Sequence, residues 1–108
     1  MAKKNATSTA DPLQLPLEHE QELRQLVIRV DGHRVRLEYE LDGDRVFLSD
    51  PDVPLALRDR ELEDVMITKA LQWVEERRAK LIPRHARMKT YLRQNPDWKR
   101  LLLKGIEV

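Results

Sequence analysis

Six basic side chains, Arg84, Arg87, Lys89, Arg93, Lys99 and Arg100, lie close together near the C-terminus. Guanidinium and ammonium groups in a row bind phosphate, by charge and, for arginine, through a planar fork of donors. The same row is equally the solvated face of a helix, and residue type leaves both readings open. The rest of the chemical inventory is sparse. His19, His33 and His85 are too far apart in sequence for a local zinc motif. There is no cysteine, so there is no disulfide, thiolate metal site or cysteine nucleophile. Of three glycines, two fall in hairpin turns and one near the C-terminus, which leaves none to build a phosphate cradle. Asp42 and Asp44 flank a turn and read as turn chemistry. Trp73 and Trp98 fall on apolar helix faces, where packing accounts for them better than stacking on bases.

The elements that must position these groups are legible from periodicity. Leu62, Val65, Met66, Ala70, Trp73 and Val74 recur at spacings of three and four, which predicts a long helix over Arg60 to Ala79. Asp59 can cap its first turn, and Glu61, Glu63 and Asp64 complement its dipole. Glu75 to Arg78 and Lys80 form a solvated run, and Pro83 cannot continue the helix. Upstream, alternation predicts strands over 26–30, 34–41 and 45–49, joined by Asp31-Gly32 and Asp42-Gly43 turns. Such a three-stranded meander has one apolar face and needs a cover, which the helix stripe supplies. Leu81-Ile82 suits one more short strand. Arg84 to Gln94 reads as a second helix with Met88, Tyr91 and Leu92 on one side, and Asn95-Pro96 opens another. The expected class is α/β in the α+β sense: an antiparallel β-meander packed on a long central helix, with C-terminal helices. Residues 1–21 are expected to be a flexible tail, within which Leu17 onward suits a helical turn or the lead into a strand. Residues 22–108 are expected to form a single domain.

The net charge of +1 hides an asymmetry. Residues 11–64 hold 15 acidic and 7 basic side chains, whereas residues 77–108 hold 10 basic and 2 acidic. The basic third suits a polyanionic partner, such as nucleic acid, an acidic protein or a phosphorylated cofactor. Alternatively, the acidic half simply faces the basic half within the molecule. No apolar run is long enough for a transmembrane helix, and the N-terminus lacks the apolar core of a signal peptide. With the absence of cysteine, a cytoplasmic location is expected.

The order of motifs is more informative than any one of them. Leu37-Glu38-Tyr39-Glu40-Leu41 is followed by Val53-Pro54-Leu55-Ala56-Leu57-Arg58-Asp59-Arg60-Glu61-Leu62. Then comes Ile82-Pro83, running through Tyr91-Leu92 to Asn95-Pro96. Over residues 26–97 the chain resembles small single-domain proteins of the Gcn5-related N-acetyltransferase (GNAT) kind. The resemblance implies acetyl-CoA as cofactor and an amine as acceptor. It places the phosphate end of the cofactor at Val53, Leu57, Arg58 and Arg60, where the long helix begins. It places the thioester near His85 and Tyr91. His85 matches a cysteine carried by some members near the acetyl group, and imidazole can serve as a general base.

Two departures stand out. In the family this loop reads Arg-Gly-x-Gly and holds a pyrophosphate on backbone N–H groups. Here Asp59 and Glu61 replace the glycines. Like charges about 4 Å apart repel by about 4 kcal/mol at an effective dielectric of 20, enough to cost orders of magnitude in affinity. Alternatively, the carboxylates take the phosphate's place at the helix dipole. The His-Thr pair common before Val-Pro is replaced by Asp50-Pro51. The expectation is an acetyl-CoA-dependent, N-acetyltransferase-like protein with impaired or lost catalysis. The alternative is a non-catalytic interaction module of the same fold, binding nucleic acid or an acidic protein through its basic C-terminal third.

Overall fold

The computed structural model describes residues 12–57 and 60–108, without the side chain of Arg60. Five strands, β1 (Glu18–Glu20), β2 (Gln25–Val30), β3 (His33–Asp42), β4 (Arg45–Leu48) and β5 (Lys80–Pro83), form one sheet in sequence order. Neighbours from β1 to β4 are antiparallel, and β4 and β5 are parallel. A parallel pair needs a long crossover, and α1 (Arg60–Glu76) supplies it. Helix α2 (Ala86–Gln94) and a 3-10 helix (Pro96–Leu101) follow β5.

The two hairpins differ in turn chemistry. Asp31 and Gly32 both have positive φ, 50° and 81°, as a type I′ turn requires. The second turn is centred one residue later than expected. Asp42 pairs with Arg45, so Gly43 and Asp44 form the loop, and Gly43 carries the positive φ of 61°. α1 stops three residues short of Ala79. Arg78 adopts φ 57°, Ala79 N–H donates to Val74 O and Arg78 N–H to Glu75 O, a Schellman ending.

The expected boundary at residue 22 falls instead inside the folded unit. Glu18 to Glu20 pair with Val27 to Gln25, and Lys69 Nζ on α1 donates to Leu13 O at 3.0 Å. The stretch from Leu17 is both a strand and a helical turn: β1, then a 3-10 turn over Gln21–Leu23. Residues 1–11 lie outside the described residues.

The inner sheet face presents Leu26, Ile28, Val35, Leu37, Tyr39, Val46, Leu48 and Leu81 to Met66, Ala70, Trp73 and Val74 of α1. α1 is buried on further faces because α2 and the C-terminal 3-10 helix also pack on it. The outer face is crossed by ion pairs, Arg29–Glu18, Arg34–Glu20, Arg36–Asp52 and Arg84–Glu40.

Candidate functional site

The end of β4 decides what the site can be. Beyond Leu48 the chain stays beside β3: Ser49 N–H donates to Glu38 O at 3.0 Å, and Asp52 N–H to Arg36 O at 2.7 Å. Asp50 and Pro51 bulge out between these two bonds. Proline excludes the helical region for the residue before it, which holds Asp50 extended. From there its carboxylate reaches α2. Oδ2 accepts from Arg87 N–H at 3.0 Å and Oδ1 from Met88 N–H at 2.7 Å. These are the second and third residues of α2, whose orphan N–H groups a cap normally serves. His85, at the cap position, supplies no such bond. Asp50 therefore caps α2 from another element. On the β5 side, Arg84 N–H donates to Leu48 O at 2.9 Å, so β4 and β5 stay joined to their ends.

The side chain of Arg87 turns the other way, to α1. Nε donates to Glu63 at 2.9 Å and Nη2 to Asp64, with the arginine side chain only 17% exposed. Burial pulls this guanidinium down, and the bonds to Glu63 and Asp64 more than offset it, leaving its pKa raised. Its Nη1 is buried and has no hydrogen-bond partner among the described residues. One turn on, Thr68 Oγ1 donates to Asp64 O at 2.8 Å and lies 2.6 Å from Tyr91 Oη. A hydroxyl has one proton, so Tyr91 is the donor to Thr68.

These contacts place the expected site residues. Val53 and Leu57 are partly buried and pack on the core. Leu57 closes a 3-10 turn with its N–H on Pro54 O at 2.9 Å. Arg58 and Asp59 lie outside the described residues. Arg60 opens α1, and nothing is described of its side chain. His85 is exposed and Tyr91 is buried against α1. His85 is the extended cap residue and Tyr91 stands six positions on, roughly 9 Å along the axis and about 120° around it. The fold does not bring the two together as an acid–base pair. Asp50, Glu63, Asp64, Thr68 and Arg87 were not foreseen as one group. The signal available for Asp50 was the Asp-Pro pair, and a cap donated from another element leaves no local spacing to read.

No protein-family model matches the chain, and no curated protein matches it in sequence. Among solved structures, it is similar to the NMR solution structure of a GCN5-like proposed N-acetyltransferase from Staphylococcus aureus. The TM-score is 0.58, over 86% of this chain and 91% of that one, at 14% identity. The fold is GNAT-like. An identity this low carries the architecture and none of the site residues.

The GNAT-like fold makes the fit of acetyl-CoA a question about side chains. By the resemblance, the cofactor's phosphates lie where α1 begins and its thioester near where α2 begins. Glu63 and Asp64 on the first turns of α1, Arg87 near the start of α2, and Asp50 connect those two positions. Two carboxylates hold the Arg87 guanidinium, and a third holds the backbone N–H groups of Arg87 and Met88. This arrangement does not fit an anionic cofactor laid along the same path. A cleft of about 1030 Å³, lined by Glu20, Leu23, Arg24, Arg34, Tyr39 and Leu41 among others, includes none of these residues. Among the described residues no cluster is placed to hold a metal ion, and no helix is long and apolar enough to cross a membrane.

Proposed function

We propose that this chain is a GNAT-like protein in which the path of acetyl-CoA is closed by its own side chains, so that the fold serves binding rather than acetyl transfer. The observation that carries this is the bridge from Asp50 to the N–H groups of Arg87 and Met88. These N–H groups open α2, the end of the path where the resemblance puts the thioester, and at the mouth of an open site they would serve a ligand or water. Here a carboxylate of the chain fills that role. Arg87, the nearest cation, is drawn to Glu63 and Asp64 instead. Tyr91 donates its proton to Thr68, which supports a packing role for it. The ring of His85 is exposed and makes no hydrogen bond or ion pair among the described residues.

The test is thermal unfolding of the whole chain with and without about 1 mM acetyl-CoA. A ligand at 100 times its dissociation constant adds about 2.7 kcal/mol. For a domain of this size that is a shift of roughly 10 °C. No shift is expected. A clear shift, or transfer of the acetyl group to a panel of small amines, would overturn the proposal.

A further inference from the structure

We infer that the surface formed by α2 and the C-terminal 3-10 helix is a binding site for single-stranded nucleic acid. This rests on the reading of the fold as a binding module, though different side chains carry it. The six basic side chains from Arg84 to Arg100 divide into two groups. Arg84, Arg87 and Arg100 are drawn into ion pairs with Glu40, Glu63, Asp64 and Glu75. Lys89, Arg93 and Lys99 form no ion pair among the described residues. Lys89 is half-buried, while Arg93 and Lys99 are exposed. Lys89 and Arg93 are four apart on α2 and so share one face. The 3-10 helix that carries Lys99 packs against α2.

On the same two elements the chain makes a platform. Gln94, Asn95, Pro96, Asp97 and Trp98 line a depression of about 320 Å³ where α2 gives way to the 3-10 helix. The Arg100 guanidinium lies over the Trp98 ring, 4.9 Å from its centroid. It is held there by Glu75 at 2.5 Å and Asp97 O at 2.6 Å. A fixed guanidinium on an indole is a flat surface on which an unpaired base stacks. Asn95 Nδ2 is used on Tyr91 O, which leaves its Oδ1 for a base edge. The Asp97 carboxylate disfavours a phosphate in the depression itself and can accept from an exocyclic amine. The phosphates therefore fall to Lys89 and Arg93 on α2 and to Lys99 on the 3-10 helix.

An acidic protein fits this surface less well. Protein interfaces have an apolar centre, and the exposed large hydrophobic residues, Leu13, Leu23, Leu41 and Leu55, all lie on other elements. A duplex fits less well too, because its paired bases cannot reach the stacking platform.

The experiment is fluorescence anisotropy of a labelled, mixed-sequence single-stranded oligonucleotide, titrated with the whole chain at several salt concentrations. Three phosphate contacts predict a log–log salt slope of about −2, or about 20-fold weaker binding at 200 mM than at 50 mM salt. The triple variant K89Q/R93Q/K99Q, checked for folding by circular dichroism, should lose at least tenfold in affinity and most of the slope. Trp98→Leu, checked for folding by circular dichroism, should lose affinity with the slope unchanged. Three results would each overturn the inference: no binding at 50 mM salt, equal affinity in the triple glutamine variant, or equal binding of a duplex or of polyglutamate. Acetyl-CoA stabilisation reports on the closed path alone, so the two proposals fail separately.

Discussion

Replacing Asp50 by alanine should lower the unfolding midpoint by about 8–10 °C and loosen the start of α2. The carboxylate accepts two backbone N–H bonds, at 3.0 and 2.7 Å, from residues whose N–H groups have no partner inside the helix. Hydrogen bonds to a charged group contribute about 1.5–3 kcal/mol, a cap lost to alanine costs about 1 kcal/mol, and the helix dipole adds a few tenths. These figures describe one contact from three sides and do not add. Asp50 is also half-buried, so water can serve part of what is lost. A cost of about 2 kcal/mol follows, and in a domain this small each kcal/mol moves the midpoint by about 4–5 °C. Asp50→Asn keeps an acceptor oxygen without the charge and should cost about half as much. Far-ultraviolet circular dichroism melts give the midpoints. Hydrogen exchange should quicken at the Arg87 and Met88 amides more than in the middle of α1. An alanine variant melting within about 2 °C of the parent would refute the bridge. So would an asparagine variant that is worse than alanine.

Three further outcomes follow from neighbouring contacts. Arg87→Met should cost about 2 kcal/mol by denaturant unfolding, because it leaves Glu63 and Asp64 facing each other beside a buried apolar chain; an unchanged midpoint would remove the Arg87 pairing. Tyr91→Phe should cost about 1 kcal/mol through the lost bond to Thr68 and leave the response to acetyl-CoA as it was; a variant as stable as the parent would mean that bond is absent. His19 gives a pH dependence. His19 is exposed as a whole, but partial desolvation first, and then the charge of Arg77, lower its pKa below the ordinary 6.5. The unfolded chain therefore takes up the proton first, and the stability from neutral His19 is present above about pH 6.5 and lost as pH falls. That neutral ring lies 2.5 Å from Tyr39 Oη and edge-on to Trp73, so melts from about pH 8 to pH 5 should show the loss, and His19→Gln should remove it. A dependence that survives His19→Gln would assign it to another group.

Much of the architecture was legible because it rests on local rules. The alternation of Val35, Leu37, Tyr39 and Leu41 fixed β3, and the stripe from Leu62 to Val74 fixed α1 and the face that it buries. Three details were missed because they depend on backbone geometry that many residues tolerate. α1 ends early because Arg78, not a glycine, takes the left-handed position, which no composition rule flags. The second turn shifted by one because Gly-Asp serves as well as Asp-Gly. β1 was assigned to a tail because three residues, Glu18-His19-Glu20, are too few to show alternation; their place is set by β2 and by Tyr39. The candidate site was legible only in part. Family order pointed to Val53, Leu57, Arg58, Arg60, His85 and Tyr91. The bonds that fill the described part of the site join residues 23 to 38 apart, Asp50 to Arg87 and Met88, Arg87 to Glu63 and Asp64, and Tyr91 to Thr68.

The charge asymmetry links the closed path to the open surface. A helix N-terminus presents unpaired N–H groups and a positive dipole end whatever the protein does with them. A ligand-binding protein leaves those groups for an anion and accepts the lost stability until the ligand arrives. This chain puts carboxylates of its own there: Asp50 accepts from the first N–H groups of α2, and Glu61 and Glu63 fall in the first turn of α1, where the dipole favours them. Carboxylates fixed at these positions then set where the cations go. Arg87 is drawn inward by Glu63 and Asp64, as Arg84 is by Glu40 and Arg100 by Glu75. The acidic part thus neutralises those basic residues that touch it, and no others. Lys89, Arg93 and Lys99 form no ion pair among the described residues, so on the proposal above their charge is kept for a partner. On this account the substitutions that shut out an anionic cofactor also add to stability, and reopening the path at Asp50 would cost stability unless an external anion replaced the carboxylate.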